Sequence, residues 1–127
     1  MSQSVVGVGV DLCEVERLRR TLARTPGFAA RVYTAAEREH CARRRDPTEG
    51  LAARFAAKEA VLKALGRGLG ACAIRDIEVV RASSGAPSIV LHDSAARLAA
   101  DHGVTSWKLS LTHTATMAEA VVIALSG

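Results

Sequence analysis

The segment Leu51–Gly70, LAARFAAKEAVLKALGRGLG, constrains this chain more than any other. It is rich in Ala, Leu and Lys, all strong helix formers. It begins after Pro47-Thr48 and runs into Gly66, Gly68 and Gly70, a start and a stop for one long helix. The four charged residues ahead of its glycines, Arg54, Lys58, Glu59 and Lys63, do not gather on one face. In helical projection Phe55, Val61, Leu62 and Leu65 spread over a broad side, with Arg54 and Lys58 among them. Ala56, Ala57, Ala60 and Ala64 make a second side, thin enough for another element to come close. Glu59 and Lys63 lie between the two. A surface helix separates a polar face from an apolar stripe, and this one does not. It is therefore expected to pack on more than one side, with some of its charges inside protein or in a cleft, where each needs a partner.

The remaining elements follow from their periods. Val5–Leu12 reads as a first strand, with Val6, Val8, Val10 and Leu12 on one face and Val5, Gly7, Gly9 and Asp11 on the other. Glycine weakens a strand but admits a second backbone, so the alanine side of the long helix is expected against Gly7 and Gly9. That would bring Asp11 toward Glu59. Glu14–Arg24 reads as a helix with Val15, Leu18 and Leu22 inward. Glu16 and Arg20 are spaced for mutual support. Arg17, Arg20 and Arg24 recur on another side, either a solvated face or a docking surface for an acidic partner.

Thr34 and Glu37 form a capping-box pattern that predicts a helix over Ala35–Arg44. Asp76–Ala82 and Ser88–His92 flank the turn residues Gly85-Ala86-Pro87 and read as a hairpin. Ser94–His102 is a further helix, stopped by Gly103. Ser106–Thr112 is a strand with Trp107, Leu109 and Leu111 on one side, and His113 continues that side. Met117–Leu125 is a last strand whose run Val121–Leu125 is apolar enough to predict burial on both faces.

Composition narrows the function. The 127 residues suit one domain spanning 1–127, long enough for a real core. No apolar run reaches transmembrane length, and the start MSQSVVGVGVD lacks a basic leader region, so neither membrane nor leader is expected. Cys13, Cys41 and Cys72 show no metal or redox spacing and read as reduced thiols of a cytoplasmic protein. The net charge is +4, with many arginines in the first half, which draws anions: nucleic acid, a phosphorylated small molecule or an acidic protein. An aromatic content of 3% argues against a single-strand stacking platform and makes nucleic acid the weakest of these.

Gly9-Val10-Asp11 at a strand end, Phe55-Ala56-Ala57-Lys58-Glu59-Ala60 with Lys63 and Gly66 on a helix, Gly85-Ala86-Pro87 in a turn, and Ser110-Leu111-Thr112-His113 near the end occur in a set order. In that order and rough spacing the chain resembles the holo-acyl-carrier-protein synthase family, the small 4′-phosphopantetheinyl transferases, over nearly its whole length. The resemblance implies an α+β fold with an antiparallel sheet around a long central helix, assembled as a homotrimer with sites at subunit interfaces. It implies transfer of the phosphopantetheine arm of coenzyme A to a serine of an acidic apo acyl carrier protein, with release of adenosine 3′,5′-bisphosphate. Mg²⁺ is the implied ion, with Mn²⁺ as the alternative. The clients implied are carriers of fatty-acid, polyketide or peptide synthesis.

Residue by residue, the resemblance gives Asp11 and Glu59 as metal ligands and Asp11, Glu59 and Lys63 as the catalytic set. Arg54, Lys58, Lys63, Gly66, Pro87 and His113 match coenzyme A-binding positions; Lys58 is also open to a packing role, its stem laid over the core. Arg17 and Arg24 match carrier-docking positions, with Arg20 beside them. Two departures stand out. Ala86 replaces a lysine usual in the family's turn, so any phosphate contact there is lost or supplied elsewhere, and Gly27 replaces a basic residue of some members. A coenzyme A-binding module without turnover remains the competing class, and would need no Mg²⁺.

Overall fold

A computed structural model describes residues 2–127. In chain order the elements are β1 (Ser4–Glu14), α1 (Val15–Arg24), α2 (Phe28–Val32), α3 (Ala35–Ala42), α4 (Thr48–Ala64), β2 (Ile77–Arg81), β3 (Pro87–Leu91), α5 (Asp93–Asp101), β4 (Ser106–His113) and β5 (Met117–Ser126), with a 3-10 turn at Ile74–Asp76. The strands form two antiparallel sheets, a three-stranded one in the order β1-β5-β4 and the β2-β3 hairpin. The expected α+β architecture is present, with α4 at its centre.

The long helix is shorter than Leu51–Gly70 at one end and longer at the other. It begins at Thr48, whose N–H is taken by the Asp46 carboxylate at 3.0 Å. It stops at Ala64 because Gly66 adopts φ +68, from which the Gly66 N–H reaches Lys63 O and the Arg67 N–H reaches Leu62 O, both at 2.9 Å. That is a Schellman closure, which a left-handed glycine makes inexpensive. The glycine-rich continuation Gly66–Gly70 is exposed loop.

The glycine face of β1 lies on the alanine side of α4, as the strand pattern predicts. A Cβ on Gly7 would stand 1.9 Å from the Ala64 carbonyl oxygen, and one on Gly9 would stand 1.8 Å from that of Ala60. Only glycine lets the strand and helix backbones come this close. Opposite, the β2-β3 hairpin and α5 pack on the other side of α4, and Ala56, Ala57 and Ala60 are fully buried between the layers. A second core lies under α1 to α3 and includes Val15, Leu18, Tyr33 and Leu51.

Two expectations need correction. β5 is central in its sheet but is not buried on both faces: Val122 and Ala124 are buried, while Val121, Ile123 and Leu125 are half-buried. Helices cover only the inner face of this antiparallel sheet, which leaves its outer face in contact with solvent. Val5 does not share the glycine face; the register slips between Val5 and Gly7, and Val5 is 62% exposed.

Candidate active site

Asp11 is near the C-terminal end of β1, on the same face as Gly7 and Gly9, and so points toward α4. Glu59 meets it there. The Glu59 pKa is raised above its ordinary 4.5 by burial first, then by the Asp11 charge and a hydrogen bond with its carboxyl. Lys63, one turn on, extends to the strand, where its Nζ donates to Asp11 Oδ1 at 2.6 Å and to the Val10 carbonyl at 3.3 Å. The Asp11 bond, more than its charge, raises the Lys63 pKa. Thus Lys63 pairs across to the strand instead of with Glu59 along the helix.

This donor set fits a hard divalent cation. Among the described residues no group of three or more His, Cys, Asp or Glu side chains is gathered as a metal ion would need. Two carboxylates suit Mg²⁺, which takes one or two of them and completes its shell with phosphate oxygens and water.

A groove of about 500 Å³ opens beside Glu59. Glu59 and Cys13 line one part of it, Leu18, Phe28 and Phe55 give it apolar walls, and Arg17 lines it from α1. Phe28 and Phe55 pack with ring centroids 6.2 Å apart. Burial and the nearby Glu59 and Asp11 charges push the Cys13 thiol up to about 11, so it stays protonated at neutral pH and is no nucleophile.

Arg17, Arg20 and Arg24 are exposed, and none takes part in an ion pair among the described residues. The expected Glu16–Arg20 support is replaced by a pair between Glu16 and Arg19, which also reaches Asp46 at 2.5 Å. Arg20 is left free as a result.

Arg54 and His113 meet elsewhere, in a small pocket that also contains Arg44, Arg81 and His40. Arg54 is only 3% exposed, and its Nε is buried without a partner. Burial and the surrounding arginines, Arg54 first, hold the His40 pKa below its ordinary value. Pro87 pairs with Arg81 across the hairpin, and Arg81 Nη1 donates to the Gly85 carbonyl at 2.8 Å. The cation missing at Ala86 therefore has a neighbour of the same sign at the base of its turn. Arg81 and His40 carried no motif or periodic signal in the sequence; only the fold brings them to Arg54. Gly66 serves as the stop of α4, with no atom near its missing side chain.

Lys58 must be corrected. Its side chain is 0% exposed and its Nζ donates to Glu37 Oε1 at 2.8 Å and to the Ile77 carbonyl. The side chain does not lie over the core with its end in solvent, as the packing alternative expected; it turns inward to Glu37, which the sequence marked only as the capping residue of α3.

The model of the 4′-phosphopantetheinyl transferase superfamily matches residues 7–124. A holo-[acyl-carrier-protein] synthase from Frankia casuarinae is 51% identical over 121 residues, covering 95% of this chain and 98% of that protein. One from Moorella thermoacetica is 48% identical over 115 residues, covering 91% and 90%. The solved structure of a holo-(acyl-carrier-protein) synthase from Bacillus anthracis, in complex with CoA (3′,5′-ADP), superposes with a TM-score of 0.80 at 32% identity, covering 97% of this chain and 98% of that one. The chain belongs to the holo-acyl-carrier-protein synthase family.

Proposed function

We propose that the chain transfers 4′-phosphopantetheine from coenzyme A to a serine of an apo acyl carrier protein, with Asp11, Glu59 and Lys63 as its reaction centre. The observation that carries this is the meeting of two carboxylates and a lysine from elements far apart in sequence, one of which, Glu59, lines a groove together with Arg17. Asp11 and Glu59 would hold Mg²⁺, which neutralises pyrophosphate charge when bound. The serine oxygen bonds to the phosphorus that carries pantetheine, the bridging P–O bond breaks, and adenosine 3′,5′-bisphosphate leaves. Lys63 would offset charge on the leaving group. Burial and Asp11 raise the proton affinity of Glu59, which suits it to take the serine proton. Arg54, with a buried unsatisfied Nε, and His113 bind the phosphates at the nucleotide end, joined by Arg44 and Arg81. Pro87 holds that rim through its strand pairing with Arg81.

The partner surfaces follow the same logic. Free arginines at 17, 20 and 24 suit an acidic carrier protein. The outer face of the large sheet is apolar along its β1 edge, with Val8, Val10 and Leu12 exposed by 57%, 47% and 54% beside Val121 and Ile123 of β5. Such a face suits other copies of the chain, in keeping with a homotrimer whose sites lie at subunit interfaces. Light scattering should then give three times the chain mass, and a monomeric mass at working concentration would refute it. Among the described residues no helix is long and apolar enough to cross a membrane.

The deciding experiment mixes the protein with apo carrier, coenzyme A and Mg²⁺ and weighs the carrier. The expected result is a gain of one phosphopantetheine; no gain with fatty-acid, polyketide or peptide-synthase carriers would overturn the proposal. Omitting the metal should stop transfer.

A further inference from the structure

We infer that Glu37 is a positioning residue, which acts through Lys58 to set where α4 presents Glu59. The inference rests on the transferase reading for its kinetic test but on geometry for its argument. Glu37 is 1% exposed and every oxygen is used: Oε1 accepts from Lys58 Nζ at 2.8 Å and from the Thr34 N–H at 3.0 Å, and Oε2 accepts from the Val79 N–H at 3.0 Å. Lys58 also donates to the Ile77 carbonyl and stands 5.6 Å from the Tyr33 ring centre. One carboxylate therefore ties the start of α3, the middle of α4 and strand β2 together.

Stability does not explain such a pair. A buried ion pair is worth no more than well-packed apolar side chains of the same volume, and often less. What the pair adds is direction, because its bonds hold in one arrangement only. The opposite side of α4 needs that. There the contact is made by Gly7 and Gly9 against Ala60 and Ala64, and small side chains allow close approach without a knob to resist sliding. Lys58 precedes Glu59 in the chain and follows Arg54 by one helical turn, so anchoring Lys58 fixes the two functional residues on either side of it.

The test uses the double variant Glu37→Gln/Lys58→Met, in which the methionine refills the lysine volume and the glutamine oxygen keeps an acceptor for the Val79 N–H, while the Thr34 N–H loses its capping partner. Glu37→Gln alone would set an amide N–H₂ against donors. With the cost of the lost cap included, the double variant should melt within about 10 °C of the native protein. Its kcat per folded molecule should fall ~10-fold or more while KM for carrier protein stays unchanged, the signature of a displaced group in a folded site. The nuclear Overhauser effect between the Gly9 α-protons and the Ala64 amide proton, which reports the strand–helix contact without metal or substrate, should lose intensity. A folded double variant with native kcat and a native Gly9–Ala64 effect overturns the inference. If the double variant does not fold, Glu37→Asp, which withdraws the carboxylate by one methylene, decides by the same two readings. If the native chain transfers nothing, the transferase reading fails, and the Gly9–Ala64 effect alone decides the role of Glu37.

Discussion

Gly9→Ala probes the link between fold and chemistry most directly. The new Cβ would lie 1.8 Å from the Ala60 carbonyl oxygen and 2.9 Å from the Ala64 nitrogen, both backbone atoms of α4 that have no rotamer to escape into. The strand and helix must part by more than about 1 Å to restore contact distance, and they must do so one residue from Glu59 and two from Asp11. Overpacking of this kind costs about 1–3 kcal/mol, which for a domain of this length lowers the melting temperature by roughly 4–12 °C. A shift near 1 Å between the two carboxylates should reduce transfer by about 100-fold in the molecules that remain folded. The measurement pairs a thermal melt with the carrier mass assay, the rate being normalised to the folded fraction. Gly7→Ala is the control: its Cβ would stand 1.9 Å from Ala64 O, so it destabilises comparably but lies farther from Asp11 and should spare more activity. If Gly9→Ala melts and transfers like the native protein, the close strand–helix packing does not set the site.

Three further outcomes are expected. Asp11→Ala and Glu59→Ala should each abolish measurable transfer in the mass assay, and full activity in both would refute the metal-ligand assignment. Arg17→Glu and Arg24→Glu should raise KM for carrier protein by about tenfold, the scale of a charge reversal at a docking rim, with KM for coenzyme A nearly unchanged; equal effects on both would refute docking on α1. The Glu59 pKa is raised in the folded chain, so folding favours its protonated form, and the stability from this group is lost as pH rises from the ordinary carboxylate range through the folded value. Without metal, Glu59→Gln should therefore raise the melting temperature at neutral pH and lose that advantage in acid, while transfer disappears. A melting temperature below native at neutral pH would contradict the sign.

The parts of the site that were legible in the sequence are those in which backbone pattern and chemistry coincide. Gly7 and Gly9 alternate with valines and end at Asp11, so period two alone placed the carboxylate on the face that meets another backbone. The alanines of α4 marked the complementary face, and Glu59 and Lys63 followed from helical spacing. The scattered charges of α4 were legible as a problem but not as an answer. Nothing in the order of residues distinguishes Lys58, which turns inward to Glu37, from Arg54, whose Nε is buried and unpaired beside Arg44, Arg81 and His113. The apolar run of β5 misled for a related reason. Its outer residues are half-buried beside the exposed valines of β1, and a single sequence does not say which elements cover a face.

Local order therefore determined the strands and helices, the capping of α3, the glycine stop of α4 and the approach of Asp11 to Glu59. These depend on φ/ψ preference and on side-chain period, which are properties of neighbours in the chain. Tertiary structure alone decided that Glu37 answers Lys58, that Arg81 and His40 gather around Arg54, and that Arg19 is paired while Arg20 is free. Those outcomes rest on electrostatic partnership between residues distant in sequence, and partnership is set by where packing leaves each charge, not by the spacing between them.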